Sequence, residues 1–273
     1  MKSLLKLTSI AALTSSALAG AAEVSSTATT SAEPWITGSI SAAYETSYYF
    51  RGLWFSNNNI FNGVSLSAPL ADKLTLGFGA LYTQNGGTTN AAGSDLEYSE
   101  LDLTGSLTYE TDLATFGLVV TNYHFFDSFS GAVNGVTDGV NADLQVKNAI
   151  DIGLTAKKAF GSTNVYLGSW FDAKIDAWYF EAGIDYTYEV NEKLSLVPMV
   201  QMGYGIDYYV DNSSDGEGLT HVRASLNAPY KYNDTVTITP YVAGNYALEA
   251  RKGQNLAEAT NDLFGGISVS CAF

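Results

Sequence analysis

The sequence is poor in cysteine, in charge, in basic residues and in long hydrophobic runs. Cys271 is the single cysteine among 273 residues, which excludes an internal disulfide and any cluster of cysteine metal ligands. Charged residues make up 15% of the chain, against about 25% in an ordinary soluble protein. The 13 Lys and Arg face 28 Asp and Glu, giving a net charge of −15 and a pI near 4.3. A chain this acidic has no basic face for phosphates, which argues against nucleic acid as a partner. Hydrophobic residues reach 46%, yet mean hydropathy is +0.03. No apolar run approaches the ~18–20 residues of a transmembrane helix.

What is present is tyrosine, at 18 residues, glycine, at 26, and a periodic pattern. The first twenty residues, "MKSLLKLTSIAALTSSALAG", carry Lys2 and Lys6, then a short apolar stretch, then Ala17-Leu18-Ala19. A basic region, an apolar region and an A-x-A site in that order predict a secretory signal peptide over residues 1–19. The small, polar residues 20–34 read as a flexible lead-in.

From Trp35 to Phe273 one signal recurs: apolar residues at every second position in segments of roughly ten. "LTLGFGALY" places Leu74, Leu76, Phe78, Ala80 and Tyr82 on one side; "IDIGLTA" places Ile150, Ile152, Leu154 and Ala156 there. "WYFEAGIDYTY" does the same with Trp178, Phe180, Ala182, Ile184, Tyr186 and Tyr188. About twelve such segments occur, with no competing helical period. Short connections such as "LADK" and "ETD" alternate with longer ones such as "FRGLWFSNNN" and "TQNGGTTNAAGSDLE". Short turns at one end and long loops at the other predict an all-β fold: a transmembrane antiparallel up-and-down barrel forming one domain, residues 35–273. In lipid, a spanning chain must pair every backbone donor and acceptor internally, which leaves helices or closed barrels. The competing fold is a secreted β-sandwich, whose strands also alternate but whose two ends are alike. Tyrosines near strand ends, such as Tyr44, Tyr109, Tyr188 and Tyr246, are expected in the interfacial girdles.

The residues between the apolar ones would face the lumen. They include Glu45, Glu100, Asp102, Asp151, Glu181 and Asp185, with Lys157 and Arg223 as the bases among them. A water-filled lumen with this excess of carboxylates would favour cations; a filled lumen would pair them into a polar plug. Arg51, in "FRG", is either a base reaching into a constriction or a loop anchor beside a Gly52 turn. His124 and His221, the only histidines, fall on strands five and ten, too far apart to share one catalytic site. Asp211, Ser213, Asp215 and Gly216 have part of the rhythm of a calcium loop, but Val222 stands where its closing Glu belongs. An acidic solvated loop is the alternative. No catalytic residue set and no cofactor is assigned.

The signal peptide, the alternation and the ending "GISVSCAF" together resemble Gram-negative outer-membrane barrels. In those proteins a final strand ending in an aromatic residue is read by the barrel assembly machinery. The resemblance assigns that role to Phe273 with Ile267, Val269 and Cys271, and implies an outer-membrane location surrounded by lipid. "YETSYYFRGLWFSNNN" further resembles the S-x-Y-x-F-R-G opening of the TorF family of porins. Tyr48, Phe50, Arg51 and Gly52 match at the family's spacing, with Ser47 one position late. "YSELDLTGSLTYE" and "DLATFGLVVTNYHFF" extend the likeness over roughly residues 36–126. It implies a porin-like channel for small solutes, against which stands a non-conducting barrel whose loops bind a surface partner.

Overall fold

The structure, a computed structural model, describes residues 35–86, 88–89, 95–96, 98–126, 148–208, 216–248, 250 and 262–273. The expected signal peptide and lead-in, and positions 211–215 of the calcium-like stretch, lie outside them.

Twelve long strands form the barrel. They are β1 (Thr37–Phe50), β2 (Leu53–Ala71), β3 (Leu74–Asn85), β4 (Ser99–Glu110), β5 (Thr115–Phe125), β6 (Asn148–Phe160), β7 (Thr163–Asp172), β8 (Ala177–Tyr186), β9 (Ser195–Ile206), β10 (Glu217–Asn227), β11 (Val236–Ala247) and β12 (Asp262–Ala272). Each pairs antiparallel with its neighbours in the chain, and β12 pairs with β1. Ser39 lies opposite Ala272 and Glu45 opposite Gly266. Gly38 and Phe273 exchange backbone hydrogen bonds of 2.9 Å in both directions, so the barrel is closed. A sandwich is ruled out by that closure.

Alternation decides which side chains meet which solvent. Ile40, Phe78, Leu103, Leu118, Ile152, Leu154, Leu167, Val200, Val242 and Ile267 point outward and are exposed. Exposed apolar residues on this scale are intelligible only against hydrocarbon. Tyr44, Tyr109, Tyr188, Tyr230 and Tyr246 stand on the same outer surface, as girdle residues do. Cys271 pairs with the outward Ile40, which puts it on the lipid side as a small apolar residue.

The short-turn end is built by side chains that mimic a backbone turn. Asn191 Oδ1 accepts from the Lys193 and Leu194 amides at 2.9 and 3.0 Å. Asn233 Oδ1 accepts from Thr235 and Val236 at 2.9 and 2.7 Å. Thr111 Oγ1 accepts from Leu113 and Ala114 at 3.2 and 3.1 Å. Such local acceptors stop a strand and reverse it within a few residues.

The lumen differs along its axis. Toward the short turns it is lined by small polar residues, among them Ser39, Ser65, Gly77, Ser106, Thr155, Ser225 and Ser268. Toward the long loops it is packed with rings. Tyr48, Phe61, Leu81 and Tyr98 form one buried cluster; Trp170, Ala177, Tyr179 and Tyr208 a second; Tyr49, Ala243 and Phe264 a third.

The two faces of β6 give a direct test. Leu154→Arg places a charge on the lipid side and is expected to cost about 2–4 kcal/mol. Thr155→Arg, one residue on and facing the lumen, is expected to cost much less. Reversible urea unfolding from lipid vesicles measures both; equal losses would contradict the assigned facing.

Candidate functional site

The stretch expected as the first long loop is not a loop. β1 runs to Phe50, a two-residue turn follows at Arg51-Gly52, and β2 begins at Leu53. Both turn residues have positive φ, 50° and 76°, the φ signs of a type I′ hairpin. The asparagines that suggested a loop serve as side-chain partners along the hairpin. Asn57 Oδ1 accepts from Ser47 Oγ and Trp54 Nε1, each at 3.0 Å; Asn58 Oδ1 accepts from Tyr44 at 2.8 Å. A bulge between Tyr48 and Tyr49 shifts the β1–β2 register. It buries Ser47, Tyr48 and Tyr49 in succession, and a bulged strand bends.

The bent tip crosses the barrel mouth. Arg51 is buried and pairs through Nη2 with Asp151 on β6, on the far wall. Its Nη1 donates to the Tyr208 hydroxyl at 2.9 Å. The guanidinium carbon lies 4.7 Å from the Phe50 ring centre, 5.1 Å from Trp170 and 5.0 Å from Tyr179. Phe50 meets Tyr123 of β5 edge-on at 5.6 Å. Gly52 presses on His221 of β10, whose ring a Cβ there would overlap. The Gly52 carbonyl accepts from Asn245 Nδ2 of β11 at 3.4 Å. One hairpin tip is thus held by β5, β6, β7, β8, β10 and β11. The Arg51 side chain points into the barrel mouth, and its contacts there also anchor the turn.

Burial by itself would lower the Arg51 pKa. The nearby Tyr208 and Asp151 outweigh it and hold the group above its usual value, so the guanidinium stays charged. An arginine in the left-handed region costs about 1–2 kcal/mol; here the side chain's ionic and ring contacts compensate.

The other inward candidates form separate groups. Glu100 and Asp102 occupy successive inward positions of β4 and are electrostatic neighbours. Glu100 accepts from the Tyr98 hydroxyl. Glu181 accepts from Tyr179 at 3.1 Å and from Gln201 at 3.0 Å. Asp185 accepts from Asn164 at 2.8 Å. Arg223 lies 4.8 Å over the Phe264 ring, and Glu45 neighbours Tyr241. Lys157 pairs in register with Tyr166 on the small-residue side of the lumen.

Several site residues carried no signal in the sequence. Tyr208 follows β9 outside any periodic segment. Asp172 ends β7, and its carboxylate accepts from the Lys174 amide at 2.8 Å, which makes the expected longer connection "DAKID" a tight turn. Thr220 and His221 are both fully buried, because β10 bulges where Gly203 faces His221 and Tyr204 faces Leu219.

His124 stands on the outer side of β5. Its Nδ1 is 2.6 Å from Asn148 Oδ1 and its ring meets Phe126 edge-on at 4.7 Å. Its partner is an amide, not a hydroxyl or thiol that could act as nucleophile. His221 is on the inner side of a distant strand, as the sequence implied.

No family model matches the chain, and no curated protein matches it. Among solved structures it is similar to the COG4313 outer membrane channel from Pseudomonas putida F1, with a TM-score of 0.55 at 14% identity, covering 89% of this chain and 97% of that one. It is also similar to the KdgM porin, with a TM-score of 0.50 at 10% identity, covering 86% and 99%. The fold is that of an outer-membrane barrel. At these identities the likeness is one of fold, and the TorF resemblance rests on the quoted residues.

The tip makes a protease test possible, because Arg51 is itself a trypsin site. Trypsin is expected to release no peptide ending at Arg51 from the native barrel. Gly52→Ala puts a Cβ into His221 at a φ that L-residues avoid, and this variant is expected to be cut there. Mass spectrometry of the digest reads the result; equal resistance would mean that the turn tolerates the methyl group.

Proposed function

We propose that the chain is an outer-membrane channel for small solutes, cation-preferring, whose long-loop mouth is held shut by the β1–β2 tip. The observation that carries this reading is the two-part lumen. Ser39, Ser65, Ser106, Thr155, Ser225 and Ser268 face inward toward the short-turn end, and the ring-packed Arg51 tip closes the other end. A barrel serving only as a scaffold has no need of this polar inner wall.

The preference for cations is supported by charge. Among the described residues, inward carboxylates of Glu45, Glu100, Asp102, Asp151, Asp172, Glu181 and Asp185 face the inward bases Arg51, Lys157 and Arg223. Low-dielectric walls focus such a field and raise the local cation concentration. With the tip in place, Arg51 neutralises Asp151 and blocks the mouth; with it withdrawn, the same carboxylates line an open path. The short turns then lie in the periplasm, and Phe273, Val269, Ile267 and Cys271 of the closing strand serve as the signal for assembly into the membrane.

Planar bilayers test this. Purified protein is expected to give brief, potassium-selective openings under a KCl gradient, and Arg51→Ala to raise mean conductance several-fold. Absence of current from both proteins would favour the non-conducting barrel. A reversal potential toward chloride would remove the cation preference.

A further inference from the structure

The groups that hold Arg51 do not come from its own hairpin, Phe50 excepted. Trp170, Tyr179 and Tyr208 surround the guanidinium at 5.0–5.2 Å, and Asp151 takes its charge. They stand on β6, β7, β8 and just beyond β9, across the lumen from β1 and β2.

Trp170, Tyr179 and Asp151 also have partners other than Arg51. Trp170 covers Gly153 and Gly168, where any Cβ would run into its ring. Tyr179 stacks parallel to His221, with ring centres 6.3 Å apart, and donates to Glu181 at 3.1 Å. The Tyr123 hydroxyl donates to Asp151 Oδ2 at 3.2 Å, and Asp172 adds a second carboxylate within electrostatic reach of Arg51. Ring faces around a carboxylate are the means by which proteins recognise organic cations. The wall carries a formed cation receptacle, and the chain's own arginine sits in it.

We infer that this receptacle is a binding site for a solute bearing a guanidinium or alkylammonium group, with Arg51 as its tethered competitor. The inference deepens the channel reading by naming a solute class, and it rests on that reading for its link to opening. A solute in the receptacle displaces Arg51 and frees the tip. Because Arg51 is tethered, it competes at an effective concentration of order millimolar. A planar guanidinium can reproduce both polar contacts, to Asp151 and to Tyr208, and the stacking. An ammonium reproduces the charge and a hydrogen bond, and a quaternary ammonium the charge and ring contacts without a hydrogen bond. The expected order of binding is therefore methylguanidinium, then methylammonium, then tetramethylammonium.

The test uses full-length Arg51→Ala barrel in lipid vesicles, with Arg51→Gln as the second variant should the first fail to fold. Tryptophan fluorescence is titrated with methylguanidinium chloride against sodium chloride of equal ionic strength. The expected result is a saturable change, at lower methylguanidinium than the wild-type barrel with its tethered Arg51 requires. It should vanish with Trp170→Phe and weaken at least tenfold when Asp151→Asn is added. In bilayers, the same methylguanidinium should reduce the current of Arg51→Ala by refilling the mouth. A folded variant with no saturable change, or a change indifferent to Asp151→Asn, overturns the site. Saturable binding without current in any variant keeps the site and overturns the channel. Current without binding does the reverse.

Discussion

Hydrocarbon offers no hydrogen-bond partner to a peptide group, and each unpaired one costs several kcal/mol there. Everything else in this molecule follows from meeting that constraint. Twelve strands pair in sequence, and the ring closes where Gly38 meets Phe273. Closure turns alternation into a division between two solvents. Every second residue meets lipid and must be apolar; the residues between them are released from that requirement and can be Ser, Thr, Tyr or carboxylate. The acidic composition and the near-zero mean hydropathy are two consequences of one architecture.

Within the lumen a second constraint operates. Carboxylates buried in a low-dielectric space need hydrogen bonds or counter-charges. Glu181 meets this need with the Tyr179 hydroxyl and the Gln201 amide. At the long-loop end the rings of Trp170, Tyr179 and Tyr208 exclude solvent, and Arg51 supplies the charge that Asp151 needs. A buried ion pair adds little net stability, but removing one partner costs about 3–5 kcal/mol. Such a pair holds one conformation firmly, with Asp151 and the rings of Trp170, Tyr179 and Tyr208 as the socket for Arg51. The bulge at Tyr48 and Tyr49, the two left-handed turn residues and the Gly52–His221 contact together aim the tip at that socket.

Much of this was legible in the order of residues. The strand number follows from period two, and the short-turn end from the lengths of the connections. The β1–β2 tip was not legible. Asn57, Asn58 and Asn59 read as loop formers, whereas each is a side-chain partner within a hairpin. The bulge also puts Tyr48 and Tyr49 inside together, which breaks the alternation that would have marked the strand. The same happens at Thr220 and His221. A bulge changes the phase of a strand without leaving a fixed residue signature, so it is invisible until the pairing is seen.

The sequence by itself determined which solvent each side chain meets, because alternation is a property of the local backbone. Only the tertiary structure decided which inward residues meet one another. Arg51 and Asp151 are 100 positions apart and on opposite walls. Their meeting depends on how far the strands are staggered around the whole ring, a quantity that belongs to the closed barrel and to no segment of it.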